Sequence, residues 1–228
     1  MKTPSPETYP LIIGTLTITY ILLVTTAVVI FIEALRQGAG NFISHMMNLE
    51  TAISVVATYF YSLFMDEFTI AENTNRPIDW EKVTAYRYID WSITTPIMLL
   101  VLMLFMANNI KLPVKVGTFA LVVVLNYIML LFGYLGERGT MDKSTGVIGG
   151  FMAFGLMYYI IYAKFLKPKY SFANSVLFWF YAIVWSFYGI VYMIDEGYKV
   201  AILNILDLIS KCFVGLGLWA YYTKILVL

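Results

Sequence analysis

The sequence predicts an all-α membrane protein, a bundle of seven transmembrane helices. Composition is the first reason. Of 228 residues, 61% are hydrophobic and 13% charged, and the mean hydropathy is +0.78, far from the soluble average. Length is the second. A spanning helix takes about 20 apolar residues, and seven stretches reach that, near 10–35, 41–65, 80–107, 113–135, 144–166, 171–194 and 199–226. The third is punctuation, because Gly, Pro, Asn and charged clusters separate these stretches.

The first stretch follows a polar segment with Pro4 and Pro6, lacks a basic leader or small-residue cleavage site, and ends at Gln37-Gly38-Ala39-Gly40. The second carries Glu50 and runs out in the polar segment Asn73 to Pro77. The third closes at Asn108-Asn109, the fourth at Gly136 to Thr140, and the fifth at Lys167-Pro168-Lys169. Asp195-Glu196-Gly197 separates the sixth from the seventh. Loops this short leave no room for a soluble domain, so residues 1–228 are expected to form one domain. With the N-terminus outside, Arg36, Lys111, Lys115, Lys164, Lys167, Lys169 and Lys224 fall on the cytoplasmic side. Glu7, Asp66, Glu67, Glu72, Asp79, Glu81, Glu137, Asp142, Asp195 and Glu196 fall outside. The positive-inside rule then favours an external N-terminus and a cytoplasmic C-terminus. A net charge of +1 gives no support for a nucleic-acid partner. The lone Cys212 excludes an intrachain disulfide, and no metal-ligand set or internal repeat is legible.

Six ionisable residues remain inside the helices or at their edges: Glu33, Glu50, Arg87, Asp90, Asp207 and Lys211. A lysine at the middle of a membrane helix costs about 2.5–3.5 kcal/mol on insertion scales, which makes Lys211 a functional residue by default. Its amine can pair with a carboxylate or form a Schiff base with a carbonyl compound. Asp207, at i−4, shares its helix face and serves either use. Arg87 and Asp90 are three apart on the third helix. At 1.5 Å per residue Asp90 lies about 15 Å deep and Lys211 about 18 Å, so the two can meet near the midplane. Two carboxylates around one cation, with Arg87 balancing the excess, is an expensive way to stabilise a static bundle and a sensible way to build a switch.

Three motifs carry a resemblance. Arg87-Tyr88-Ile89-Asp90-Trp91-Ser92-Ile93-Thr94-Thr95-Pro96 resembles the third-helix signature of microbial rhodopsins. Leu206-Asp207-Leu208-Ile209-Ser210-Lys211 resembles their retinal-attachment signature, and Trp185-Ser186-Phe187-Tyr188 the aromatic part of their sixth-helix pocket. The resemblance spans all seven stretches in order. It implies the seven-helix fold of the microbial rhodopsin type, with all-trans retinal on Lys211 as a protonated Schiff base. It further implies Asp90 as primary counterion and proton acceptor, Asp207 as second carboxylate, and Arg87 as the gate to the outside. Trp91, Trp185 and Tyr188 would flank the polyene, with Thr95 and Met98 in the same pocket. Thr94, one turn past Asp90, would hydrogen-bond its carboxylate. An apolar Met98 at the family's colour-tuning position implies green absorption.

Ion specificity in this family resides in three third-helix positions, here Asp90, Thr94 and Val101. Asp and Thr at the first two suit proton transfer and differ from the chloride-pump and sodium-pump patterns. Valine at the third cannot donate a proton, where many outward pumps have a carboxylate. Glu50, about 13 Å in from the cytoplasmic end of the second helix by helical rise, is the candidate replacement donor. That narrows the resemblance toward proteorhodopsin-like members and viral rhodopsins of the giant-virus type. Glu50 also admits two other readings, a structural carboxylate or a water-lined group in a conducting path.

Asn204 resembles a residue of proteorhodopsin-like members and would order water on the polar pathway near Asp207. Asn126 is a candidate bridge to Thr95, His45 an interfacial residue, and Glu33 with Arg36 an interfacial pair. Gly189 stands where many relatives have a sixth-helix proline, so any hinge there relies on glycine. Asp195 and Glu196 are candidates for proton release, and Lys199 occupies a place where a second release carboxylate is expected. Together these readings imply a light-driven outward proton pump rather than an enzyme, with protons, retinal and the bilayer as its partners. A light-gated cation channel and a photosensor are the alternatives. A homo-oligomer, trimer or pentamer, is expected by analogy.

Overall fold

The computed structural model describes residues 8–36, 40–194 and 196–226, with the Glu196 side chain excepted. The expected break at Gln37 to Ala39, the external Glu7, and the release candidates Asp195 and the Glu196 side chain lie outside the described residues. The described chain is helical throughout, with no strand among the described residues. The helices are α1 (Thr8–Leu35), α2 (Asn41–Asn73), α3 (Trp80–Ile110), α4 (Val116–Glu137), α5 (Lys143–Ile161) and α6 (Phe172–Val191). The seventh stretch is built from α7 (Glu196–Asp207), a π-helical segment Leu208–Phe213, and α8 (Val214–Tyr222). A second π-helical segment, Tyr162–Leu166, extends α5.

Several ends differ from the sequence expectation for local reasons. α2 continues past 65 to Asn73 because an ion-pair cluster at Glu67 holds its last turns. α5 starts at Lys143, where the Asp142 carboxylate accepts hydrogen bonds from the Ser144 and Thr145 N–H groups as an N-cap. Six helices among the described residues are long and apolar enough to cross a membrane: Thr8–Leu35, Trp80–Ile110, Val116–Glu137, Lys143–Leu166, Phe172–Val191 and Gly197–Tyr222. α2 has the length, at 33 residues, but its apolar run is interrupted by Asn41, His45, Asn48, Glu50, Thr51 and Ser54. Its Glu50 and Ser54 point inward and are buried.

The chain divides into two compact units, one comprising residues up to Asp90 and from Ile190 onward, the other Trp91–Gly189. In the first unit α1 packs against α2 and α7, around an apolar core that includes Ile12, Leu16, Leu23, Ala57, Phe64 and Ala201. In the second unit α4 packs on α5. Pro96 lies inside α3 and cannot donate to the carbonyl four residues back. That carbonyl, on Ser92, accepts from the Tyr127 hydroxyl of α4 at 3.1 Å, so the proline leaves no unpaired acceptor. Gly189 sits in regular α6, and a Cβ there would stand 2.6 Å from the Phe151 ring. The glycine on which any hinge would rely thus makes room for an aromatic ring of α5.

Candidate functional site

Arg87, Asp90 and Asp207 of the first unit gather around Lys211. Its Nζ donates to Asp90 Oδ2 at 2.7 Å and lies 3.3 Å from Asp207 Oδ1. Asp207 Oδ2 accepts from the Tyr61 hydroxyl at 3.0 Å and from Arg87 Nη1 at 3.3 Å. Lys211 is 1% exposed, Asp90 and Asp207 are 0%, and Arg87 is 4%. Two cations and two carboxylates thus form a neutral cluster out of solvent. Such a group is tolerable only when each charge is paired and hydrogen-bonded.

Local geometry sets this arrangement. Lys211 lies in the π-helical segment Leu208–Phe213, and segments of this kind recur at functional sites because the wider turn re-aims side chains. Asp207 is the last residue of α7 before that segment. Arg87 and Asp90 come from α3, where i,i+3 spacing puts both on one side. The Arg87 guanidinium also lies 4.9 Å from the Phe64 ring centroid, a cation–π contact.

A second layer surrounds the cluster. Arg87 Nη2 donates to Asn204 Oδ1 at 2.9 Å, Asn204 Nδ2 donates to Thr15 Oγ1 at 3.2 Å, and Thr19 Oγ1 donates to the Asn204 carbonyl at 3.1 Å. Tyr61, Thr15 and Thr19 were not singled out from the sequence. A signal for Tyr61 existed: Glu50, Ser54 and Tyr61 recur at helical spacing and share the buried face of α2.

Glu50 is 1% exposed, and its Oε1 makes no hydrogen bond, nor do the buried Ser54 Oγ and Thr26 Oγ1. Its Oε2 faces Gly215 of α8. These polar groups occupy the part of the first unit toward the Tyr222 end of the seventh stretch.

In the second unit, Trp91 meets Tyr188 edge to face at 5.4 Å between ring centroids, and Trp185 packs near Tyr158 and Tyr181. Trp185 is buried and Tyr188 half-buried. Thr95 Oγ1 donates to the Trp91 carbonyl at 2.6 Å and accepts from Asn126 Nδ2 at 2.8 Å, which is the expected Asn126 bridge. Thr94, Met98 and Val101 are all buried. Near the end of this unit that holds Ile110 and Phe172, Asn174 Nδ2 donates to the Met106 carbonyl at 3.0 Å and lies 3.4 Å from the Phe165 carbonyl. Asn174 Oδ1 accepts from Asn109 at 2.8 Å.

Outside the spans, Glu67 accepts from Arg76 Nη1 at 2.8 Å, Lys82 Nζ at 3.1 Å and the Asp79 N–H at 3.1 Å. Burial would raise its carboxyl pKa, but the hydrogen bonds from Arg76, Asp79 and Lys82 dominate and bring it down to about 2. Glu33 and Arg36 pair at 3.4 Å. His45 is exposed and Lys199 is buried.

Comparison with known proteins points one way. A family model described as bacteriorhodopsin-like protein matches residues 11–225. The crystal structure of viral rhodopsin OLPVRII is similar at 39% identity, covering 95% of this chain and 100% of that one, with a TM-score of 0.86. The green-light absorbing proteorhodopsin of Gamma-proteobacterium EBAC31A08 is 28% identical over 156 residues. That alignment covers 62% of each chain, under two thirds of the relative's length. The proton pumping rhodopsin AR2 of the marine alga Acetabularia acetabulum shares the fold at 21% identity, with 99% of each chain covered and a TM-score of 0.76.

Proposed function

This chain belongs to the bacteriorhodopsin-like family, a family of multi-pass membrane proteins with a retinal chromophore, and on that premise we propose that it is a light-driven outward proton pump with all-trans retinal on Lys211. The observation that carries the reading is the buried Lys211 Nζ, 2.7 Å from Asp90 and 3.3 Å from Asp207. The residues fit the cofactor: a primary amine is available for a Schiff base, and two carboxylates stand ready for the cation that a protonated Schiff base retains. Retinal held by Lys211 would supply visible absorption and a light-driven isomerisation beside Asp90 and Asp207.

The chain's own residues do the rest. Asp207 has one oxygen engaged by Tyr61 and Arg87, which leaves Asp90 as the carboxylate to take up a proton. A buried carboxylate that loses its counter-charge is neutralised by taking the proton. Thr94, one helical turn past Asp90, would serve its carboxylate as a hydrogen-bond partner, Arg87 with Asn204 would gate the path outward, and Glu50 would return a proton from the cytoplasmic side. Trp91, Thr95, Met98, Trp185 and Tyr188 contact the polyene. The N-terminus lies outside, the C-terminus in the cytoplasm, and residues 1–228 act as one domain in a lipid-embedded trimer or pentamer.

Photocurrent against voltage, in retinal-supplied cells with known ion gradients, tests this reading. A pump gives an outward current that keeps its sign across the accessible range. One observation favours a second reading, a light-gated cation channel: Glu50, Ser54 and Thr26 present buried polar atoms that make no hydrogen bond, suited to lining a hydrated path. Reversal near an ionic equilibrium potential selects that channel. No current at all selects a photosensor and defeats both.

A further inference from the structure

We propose that Gly215 is the positioning residue for Glu50: the missing side chain at 215 leaves the place that the Glu50 carboxylate occupies against the seventh stretch, four residues past Lys211. A Cβ at 215 would stand 3.0 Å from Glu50 Oε2, 2.8 Å from Ile30 Cδ1 and 3.5 Å from Thr26 Cγ2. The three neighbours differ in what they can yield. Ile30 Cδ1 is the end of a side chain that is itself 0% exposed, so it gives only by repacking against its neighbours. The Thr26 contact is ordinary van der Waals distance. The carboxylate must retreat as well, and Glu50, in the first third of α2, is 1% exposed with little room to do so.

Two further observations bear on the assignment. Glycine inside a helix destabilises it relative to alanine, so its presence in the first turn of α8 calls for a gain elsewhere, and the close approach of a carboxylate is one. Gly217, on the same short helix, meets nothing within 4 Å. The two glycines are therefore equivalent in backbone chemistry and different in contact. The carboxylate that Gly215 admits is also the one whose other oxygen, with Ser54 Oγ and Thr26 Oγ1, makes no hydrogen bond. A shift of a few tenths of an ångström changes its distance to every group along that face, and proton transfer depends steeply on such distances. The consequence for transport rests on Glu50 being the donor; the contact itself does not.

The test uses the full-length, retinal-loaded protein and two readouts. One is the infrared absorption of the Glu50 side chain in the dark, assigned by its loss in Glu50→Gln. The other is the rate of the late, reprotonating phase after a flash. Gly215→Ala is expected to shift the Glu50 band and slow the late phase about tenfold, as a small change in barrier suffices for that, with the visible maximum unmoved. Gly217→Ala leaves both unchanged. In the shorter-side-chain background Glu50→Asp, the Gly215→Ala penalty shrinks below about twofold, a coupling read from the double-mutant cycle. An unshifted Glu50 band in Gly215→Ala overturns the proposal. So does a shifted band with an unchanged late phase, if Glu50→Gln slows that phase. If Glu50→Gln itself leaves the late phase unchanged, the donor reading fails, while the band shift still upholds the contact.

Discussion

Arg87 leans on an amide as well as on a carboxylate: its Nη2 donates to Asn204 Oδ1 at 2.9 Å, shorter than the 3.3 Å from Nη1 to Asp207 Oδ2. Through the side chain and carbonyl of Asn204 the guanidinium is tied to Thr15 and Thr19 of α1. Asn204, expected from the sequence to order water, is thus the hub that holds the Arg87 side chain.

Replacing Asn204 with Leu strips partners from Arg87 and Thr15 at once. Arg87 keeps Asp207 and Thr15 keeps the Leu11 and Ile12 carbonyls, so the main loss is one hydrogen bond to a charged group, about 1.5–3 kcal/mol. The expected result is a lower melting temperature and slower proton release, read by thermal unfolding and by a pH-indicator dye after a flash. An unchanged melting temperature and release rate would show that Asn204 does not hold the gate.

Lys211→Ala removes the amine that retinal needs. No visible absorption band is expected at any concentration of added retinal. A band that survives this change places the chromophore elsewhere and defeats the proposed function at its root.

Glu50→Gln keeps the shape of the side chain and removes its proton. The early transfer to Asp90 is expected to keep its rate, while the late phase slows by about a hundredfold or more, within the range for loss of one acid–base group. Time-resolved absorption at the visible maximum measures both phases.

Glu67 sets an acid limit on stability. Its folded pKa of about 2 lies below the ordinary value of 4.5, so the folded state holds the proton more weakly than the unfolded one. Stability from this group is fully present above about pH 4.5 and is lost as pH falls toward 2. Glu67→Gln should lower the melting temperature at neutral pH and flatten its decline over that window. Parallel melting curves of the two proteins between pH 5 and 2 would refute the assignment.

Asn174→Leu leaves the Met106 and Phe165 carbonyls and the Asn109 amide without the partner they share. Destabilisation of about 1–3 kcal/mol is expected from each group left unsatisfied, measured as a lower melting temperature with the visible maximum unchanged. A stability equal to the parent would mean that water replaces the amide at no cost.

Much of the architecture was legible because membrane helices announce themselves by length and apolarity, and because charges inside them are rare enough to be conspicuous. Lys211, Asp90, Asp207 and Arg87 could be singled out for that reason, and Asp207 could be paired with Lys211 by spacing on one helix. Thr15 and Thr19 are common residues in apolar stretches, and nothing in their own windows marks them, while Tyr61 is marked only by its helical spacing from Glu50 and Ser54. Glu67 was read as one external acid among several, since its partners Arg76 and Lys82 are brought to it by the turn after α2. The packing role of Gly189 is not legible in the sequence, because the ring that fills its missing side chain, Phe151, belongs to another helix.

By itself the sequence determined that the chain is an all-helical membrane protein, which charges lie inside it, and which of those share a helix face. Periodicity within one helix is a matter of 3.6 residues per turn and needs no tertiary information. Only the tertiary structure decided which helices supply the partners: Tyr61 and Arg87 to Asp207, Asn204 to Arg87, and Gly215 to Glu50. Those contacts depend on the rotation of each helix about its own axis. In the seventh stretch the π-helical turn at Leu208–Phe213 changes that rotation midway, so counting residues from Asp207 does not predict where Gly215 faces.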